Sequence, residues 1–121
     1  MKAVLLVSHG SVSKNLVKEV ETVVKELRKK NIADFIDYAF LEIQSPSIPE
    51  GIARCVQKGA DSIMILLNFL NSGRHVDKDI PSIIEQARKD YPHVLFKISS
   101  PVGQHLKMVD LFCDLLFQMS S

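Results

Sequence analysis

Two of the chain's four histidines stand in matching surroundings. His9 follows the apolar run Leu5-Leu6-Val7-Ser8 and leads directly into Gly10-Ser11. His75 follows the apolar run that ends at Leu67, sits just past Gly73-Arg74, and precedes Asp79-Ile80-Pro81. A neutral imidazole is a borderline ligand suited to Co, Ni, Zn and Fe, and it can also take up a proton. A lone histidine in a loop is most often a surface or packing residue, and glycines beside it are expected in any tight turn. Two histidines, each beside a glycine at a strand exit, form a pattern that packing alone does not ask for. No third histidine or cysteine stands at ligand spacing. A structural zinc site is normally closed by four ligands, so two imidazoles describe an open site, suited to an ion that is handed on.

These loops must be held by the elements on either side of them. Ala3 to Ser8 is apolar without alternation, which suits a strand covered on both faces. From about Ser13 to Lys30, Leu16, Val20, Val23, Val24 and Leu27 form a 3.6-period stripe and predict an amphipathic helix. Phe35 to Leu41 reads as a strand. Ser47-Ile48-Pro49-Glu50 has capping-box spacing and opens a helix to about Lys58, with Gly59 as its stop. Ser62 to Leu67 is the third strand. Ile80, Ile83, Ile84 and Ala87 stripe a third helix, capped by Asp79, with Pro81 in its first turn and Tyr91-Pro92 at its end. Val94 to Ile98 is the fourth strand. Leu106, Val109, Phe112, Cys113, Leu116 and Phe117 line one side of a last helix.

Four βα units in succession, with apolar strands, predict a parallel four-stranded sheet with helices on both faces. Right-handed crossovers favour the flavodoxin-like strand order 2-1-3-4 in a single domain over residues 1–121. In that order the connections after strands 1 and 3 leave toward opposite faces and open a crevice at the carboxyl ends of the strands. Such crevices bind ligands. His9 and His75, distant in sequence, are expected to share it.

Composition narrows the partners. The chain has 121 residues, 46% hydrophobic and 24% charged, with formal net charge +1. That balance predicts no nucleic-acid or membrane partner, and the first apolar run is too short for a membrane span. Cys55 and Cys113 fall within apolar helical patterns and read as buried hydrophobes of a reducing, cytoplasmic compartment. A disulfide between them is disfavoured.

A longer set of residues carries a resemblance. His9-Gly10-Ser11 follows the first strand, and Phe69-Leu70, Gly73, His75 and Asp79-Ile80-Pro81 follow the third. Pro101-Val102-Gly103 and His105 follow the fourth. Together they resemble the small-type sirohydrochlorin chelatases, the cobalt- or nickel-inserting relatives of ferrochelatase, over essentially the whole chain. The resemblance implies a class II chelatase fold like one half of the duplicated larger chelatases. It also implies a homodimer that encloses one sirohydrochlorin or related tetrapyrrole. His9 and His75 would bind Co2+ or Ni2+ as the metal substrate, with no permanently bound cofactor. Glu42 matches a frequent acid of the family and would orient an imidazole or accept a proton; it reads equally well as a solvated carboxylate at a strand end. The carboxylate-rich substrate needs cations and turns at the rim. Ser11, Lys14, Gly73, Arg74, Lys78 and Lys107 are the candidates, each cation standing equally well as plain surface charge. His105 belongs to that rim or caps a helix start. His93, at the opposite end of strand 4, takes no part. The chain departs from the family at Val12, where an arginine is common, and at Asn68, where a proline is common.

Three other readings compete. Val7-Ser8-His9-Gly10 also resembles the phosphohistidine segment of mannose-type sugar-transport phosphotransfer domains, which would leave His75 and Asp79-Ile80-Pro81 unused. A histidine phosphatase would want an arginine where Ser8 stands, to grip phosphate. A metal or tetrapyrrole carrier would use the same crevice without turnover.

Overall fold

The computed structural model describes residues 1–120. The elements run β1 (Lys2–Ser8), α1 (Asn15–Arg28), β2 (Phe35–Phe40), α2 (Ile48–Gln57), β3 (Ser62–Leu67), α3 (Ile80–Asp90), β4 (Leu95–Pro101) and α4 (Met108–Met119). A π-helical turn, His75–Asp79, leads into α3, and a 3-10 turn, Val102–Gln104, follows β4. The four strands form one parallel sheet in the order β2-β1-β3-β4, as the βα alternation predicts.

β1 is central because every residue from Ala3 to Ser8 is buried, leaving it no side to turn to water. Its odd positions Ala3, Leu5 and Val7 join Ile48 and Ile52 of α2 and Ile80 and Ile84 of α3 on one face. Its even positions Val4 and Leu6 meet Val20 and Val24 of α1 on the other. The capping box at α2 is formed. Ser47 Oγ accepts from the Glu50 amide at 3.2 Å, and Glu50 Oε1 accepts from the Ser47 amide at 2.8 Å. These bonds favour the ionised acid and hold the Glu50 carboxyl below its usual range. Gly59, at φ +101, ends the run in the left-handed region.

Several expectations give way. Asp79 does not cap α3: its backbone is helical and its side chain makes no cap bond, because the preceding residues are already coiled in the π-helical turn. Val23, part of the expected core stripe of α1, is 46% exposed. The largest departure is α4. Among the described residues none of the helix is buried, with Phe112 63% and Phe117 73% exposed. Cys113, expected inside, is therefore exposed, while Cys55 is fully buried. A 3.6-residue period says that a helix has an apolar face, not that this chain supplies the surface to cover it.

Burial, with Asp37 adding to it, pushes the Cys55 thiol up to about 12. Thiolate is the reactive form, so Cys55 should resist alkylation near neutral pH while Cys113 reacts. Mass spectrometry after brief iodoacetamide treatment of the folded protein should find a single adduct on Cys113, and a second on Cys55 only after unfolding.

Candidate metal site

The pairing of β1 with β2 continues past the end of both strands. The Leu41 amide donates to Ser8 O at 2.8 Å and the Glu42 amide donates to His9 O at 3.0 Å, which draws Glu42 alongside His9. Only glycine fits at position 10. Its φ is +111, and a Cβ there would lie 1.9 Å from Glu42 O. Gln44 then clasps the loop, its Oε1 accepting from the Ser11 amide at 2.7 Å and its Nε2 donating to Ser11 O.

On the other side of β1, Asn68 leaves β3. Its amide donates to Val7 O at 2.8 Å and its Nδ2 donates to the hydroxyl of buried Ser8 at 2.9 Å. A proline at this position could make neither bond, so the departure at Asn68 tightens the exit of β3 rather than loosening it. The π-helical turn follows, closed by the Ile80 amide donating to His75 O. It sets His75 Nδ1 2.7 Å from Asp79 Oδ2. A carboxylate on Nδ1 fixes that proton and leaves Nε2 as the ligating nitrogen, an arrangement typical of metal-binding histidines.

The crevice between β1 and β3 brings the two histidines together, with ring centroids 4.6 Å apart and planes inclined by 34°. Glu42 Oε1 is 2.5 Å from His9 Nε2. Nε2 is buried and makes no other polar contact. Donor atoms from His9, Glu42 and His75 all lie within 4.8 Å of one another, and theirs is the one such cluster among the described residues. Ligand atoms about 2.0–2.1 Å from one ion lie roughly 3–4 Å apart, so small side-chain rotations within this cluster bring all three donors onto one ion. Two imidazoles and one carboxylate leave coordination positions open. Phe69, its ring centroid 6.5 Å from that of His9, backs the pair with an apolar wall.

The other residues singled out in the sequence surround this cluster without entering it. Ser11 is half-buried in the clasped loop, and Lys14 is exposed at the start of α1. A Cβ at Gly73 would meet open space. Arg74, Lys78 and Lys107 are exposed, and among the described residues neither they nor Lys14 enters an ion pair. His105 does not reach the imidazoles. Its Nδ1 accepts from the Lys107 amide at 3.1 Å, and its ring lines a separate groove with Ser99, Ser100 and Gln104. Val12 projects into solvent. The turn after β4 is fastened to the β3 exit by the Gly103 amide donating to Phe69 O at 3.0 Å and by Gln104 Nε2 donating to Ser72 Oγ at 2.6 Å.

Sequence reasoning missed two supporting residues. Asp79 reads in the sequence as a helix cap, although its i+4 spacing from His75 is itself a signal for an imidazole–carboxylate pair. Gln44 carries no signal, because its partners are backbone atoms of a loop remote in sequence. Replacing Asp79 with Ala should lower affinity for Co2+ by about 10- to 100-fold, the usual cost of losing the carboxylate behind a ligating histidine. Titration calorimetry checks this, with the far-ultraviolet spectrum unchanged, since Asp79 is partly exposed and caps nothing.

The family model described as CbiX matches residues 3–119. The chloroplastic sirohydrochlorin ferrochelatase of Arabidopsis thaliana is 32% identical over 111 residues, which are 92% of this chain and 49% of that protein. The sirohydrochlorin cobaltochelatase of Sulfolobus acidocaldarius is 30% identical over 111 residues, 92% of this chain and 86% of that one. The cobaltochelatase of Priestia megaterium matches 92% of this chain over only 36% of its own length, so the chain spans half or less of several of the curated relatives it matches. Among solved structures, the sirohydrochlorin chelatase SirB of Bacillus subtilis subspecies spizizenii in complex with cobalt aligns with TM-score 0.89 at 28% identity, over 98% of this chain and 51% of that one. A CbiX protein from Marinobacter aquaeolei VT8 aligns with TM-score 0.85 at 21% identity, over 98% and 97%, a likeness that speaks to the fold alone. With nearly its full length matched by the family model and relatives above 30% identity aligned over most of it, the chain belongs to the CbiX family.

Proposed function

We propose that this chain inserts a divalent metal into sirohydrochlorin or a closely related tetrapyrrole, with His9 and His75 presenting the ion. The observation that supports it most is the convergence of His9, Glu42 and His75 at the crevice between β1 and β3. The names of the relatives favour Co2+ or Fe2+ as the metal, and the donor set accepts Ni2+ as well.

The chemistry asks little else of the protein. Insertion exchanges two pyrrole N–H protons for one divalent cation. His9 Nε2 and His75 Nε2 hold the ion through part of its coordination shell, leaving the rest for pyrrole nitrogens and water. As the ring nitrogens take over, each imidazole loses its metal and becomes free to accept a proton. Glu42 Oε1 is a further proton acceptor at the same spot, and the pyrrole protons can leave by either route. Asp79 keeps the His75 ring in register throughout. The unpaired cations Lys14, Arg74, Lys78 and Lys107, with Ser11 and the Gly73 turn, supply a rim for a substrate rich in carboxylates.

One sheet with one crevice covers a single side of a flat macrocycle, so two copies are proposed to enclose it. A phosphotransfer role for His9 finds no support in a ring packed against a second imidazole and facing a carboxylate that would repel phosphate.

The test is the absorbance change of anaerobic sirohydrochlorin mixed with protein and Co2+, Fe2+ or Ni2+. His9→Ala and His75→Ala should each slow metallation by at least about a hundredfold while the fold survives, since both side chains stand in loops or turns. Parent-like rates in both variants would overturn the reading, and stoichiometric binding without turnover would indicate a carrier. Light scattering should give twice the monomer mass.

A further inference from the structure

Among the described residues, two other than glycine take a positive φ, Asn31 at +53 and Ile43 at +73. Asparagine is a usual occupant of that region, whereas a β-branched residue there is an outlier that costs free energy. Ile43 follows Glu42 directly, so the strain lies one residue from the cluster of His9, Glu42 and His75. The backbone at Ile43 has no freedom to relax. The Gln44 amide donates to Glu42 O at 2.9 Å, a bond that skips one residue and closes a γ-turn on Ile43. Glu42 O lies close over Gly10, where a Cβ would be 1.9 Å from it. The side-chain amide of Gln44 is held at both ends, Oε1 by the Ser11 amide and Nε2 by Ser11 O and, at 3.4 Å, Ser13 O. Val12 lies between those two serines, so the same clasp brings Val12 and Ile43 to one lip of the crevice.

Folding does not account for these side chains. Glycine would adopt the turn without strain, and Ile43 gains little burial in return, being 63% exposed. Val12 is 91% exposed. On the other side of His9, after β3, Leu70 is 64% exposed and follows Phe69, whose ring backs His9. Its backbone is fixed as well, because Leu70 O lies 1.9 Å from where a Cβ on Gly103 would be. Aliphatic side chains thus stand open on both lips, each on a backbone that is held in place. Lys14, Arg74 and Lys78, which enter no ion pair among the described residues, stand in the adjoining turns. Strain persists where the surroundings impose it, and exposed apolar groups gathered beside a site mark a surface that is covered in use. Apolar lips with cations around them fit a flat ring that is apolar over its faces and anionic at its periphery.

We propose that Ile43 and Val12 on one lip, and Leu70 on the other, bear against the pyrrole rings on either side of the ion and so hold the macrocycle level over His9 and His75. The nitrogens of a tetrapyrrole surround its centre and its carbons lie outside them, so a ring centred on the ion places carbon over both lips. The γ-turn keeps Ile43 at that lip before the ring arrives, and the backbone strain is the cost of having it ready. This inference deepens the function proposed above and rests on it. It assigns these three residues to the ring and not to the metal.

Anaerobic binding of metal-free sirohydrochlorin, followed by its absorbance, tests this in the parent, Ile43→Gly, Ile43→Leu and Leu70→Ser. Calorimetry measures Co2+ affinity of the same proteins without the tetrapyrrole, and circular dichroism verifies their fold. Glycine keeps the turn and removes the side chain, so a role confined to the backbone would leave Ile43→Gly like the parent. Ile43→Gly and Leu70→Ser should each weaken sirohydrochlorin binding by at least about tenfold, as the loss of a covered aliphatic side chain does, with Co2+ affinity unchanged. Ile43→Leu, which keeps an aliphatic side chain, should bind like the parent. Parent-like binding of sirohydrochlorin by Ile43→Gly and Leu70→Ser, in a protein that still metallates it, overturns this proposal alone. A fall in Co2+ affinity in Ile43→Gly assigns the residue to holding Glu42 and overturns it too, as does a changed mass in light scattering, which would mark a contact between proteins. A parent that does not bind sirohydrochlorin overturns this proposal and the function above together.

Discussion

The molecule depends on the central position of β1 and on the need to satisfy the backbone carbonyls at its buried end. Val7 O, Ser8 O and His9 O stand at the carboxyl end of β1, and they take their donors from two stretches of chain remote from it and from each other. Asn68 serves the first, Leu41 the second and Glu42 the third. Those three bonds decide where everything else at that edge can be. They pin the start of the His75 segment to one side of His9 and the Glu42 carboxylate to the other. Gly10 is the steric condition for the second half of this arrangement, because any Cβ there would lie 1.9 Å from Glu42 O.

Two imidazole–carboxylate pairs result, and they are not equivalent. Asp79 engages His75 on Nδ1 from within the same turn of helix, which orients the ring and directs Nε2 outward. Glu42 approaches His9 on Nε2 itself, its Oε1 2.5 Å away. The first carboxylate orients its imidazole; the second meets the outer nitrogen of its imidazole directly. Two imidazoles and a carboxylate are a donor set suited to a divalent cation.

Away from the crevice the subunit is unbalanced. One face of the sheet is fully covered, the other half covered, and the helix that should finish it stands clear with its apolar arc exposed. A groove and an apolar helix face are thus both left open in the one subunit.

Local pattern and topology carried far. Non-alternating apolar strands, 3.6-residue stripes and the Ser47–Glu50 spacing determined the four βα units, and the handedness of crossovers then determined the order β2-β1-β3-β4. From that order alone His9 and His75 had to share a crevice, because the carboxyl ends of β1 and β3 are neighbours. Tertiary structure decided what periodicity cannot encode. It turned Asp79 from a helix cap into the partner of His75, since a π-helical turn rather than a loop precedes α3. It made Gln44 a clasp through contacts with backbone atoms that no residue pattern announces. It also left α4, Val23 and Cys113 in the open, because an apolar stripe records the wish to be buried and is silent about which surface, or which copy, does the burying.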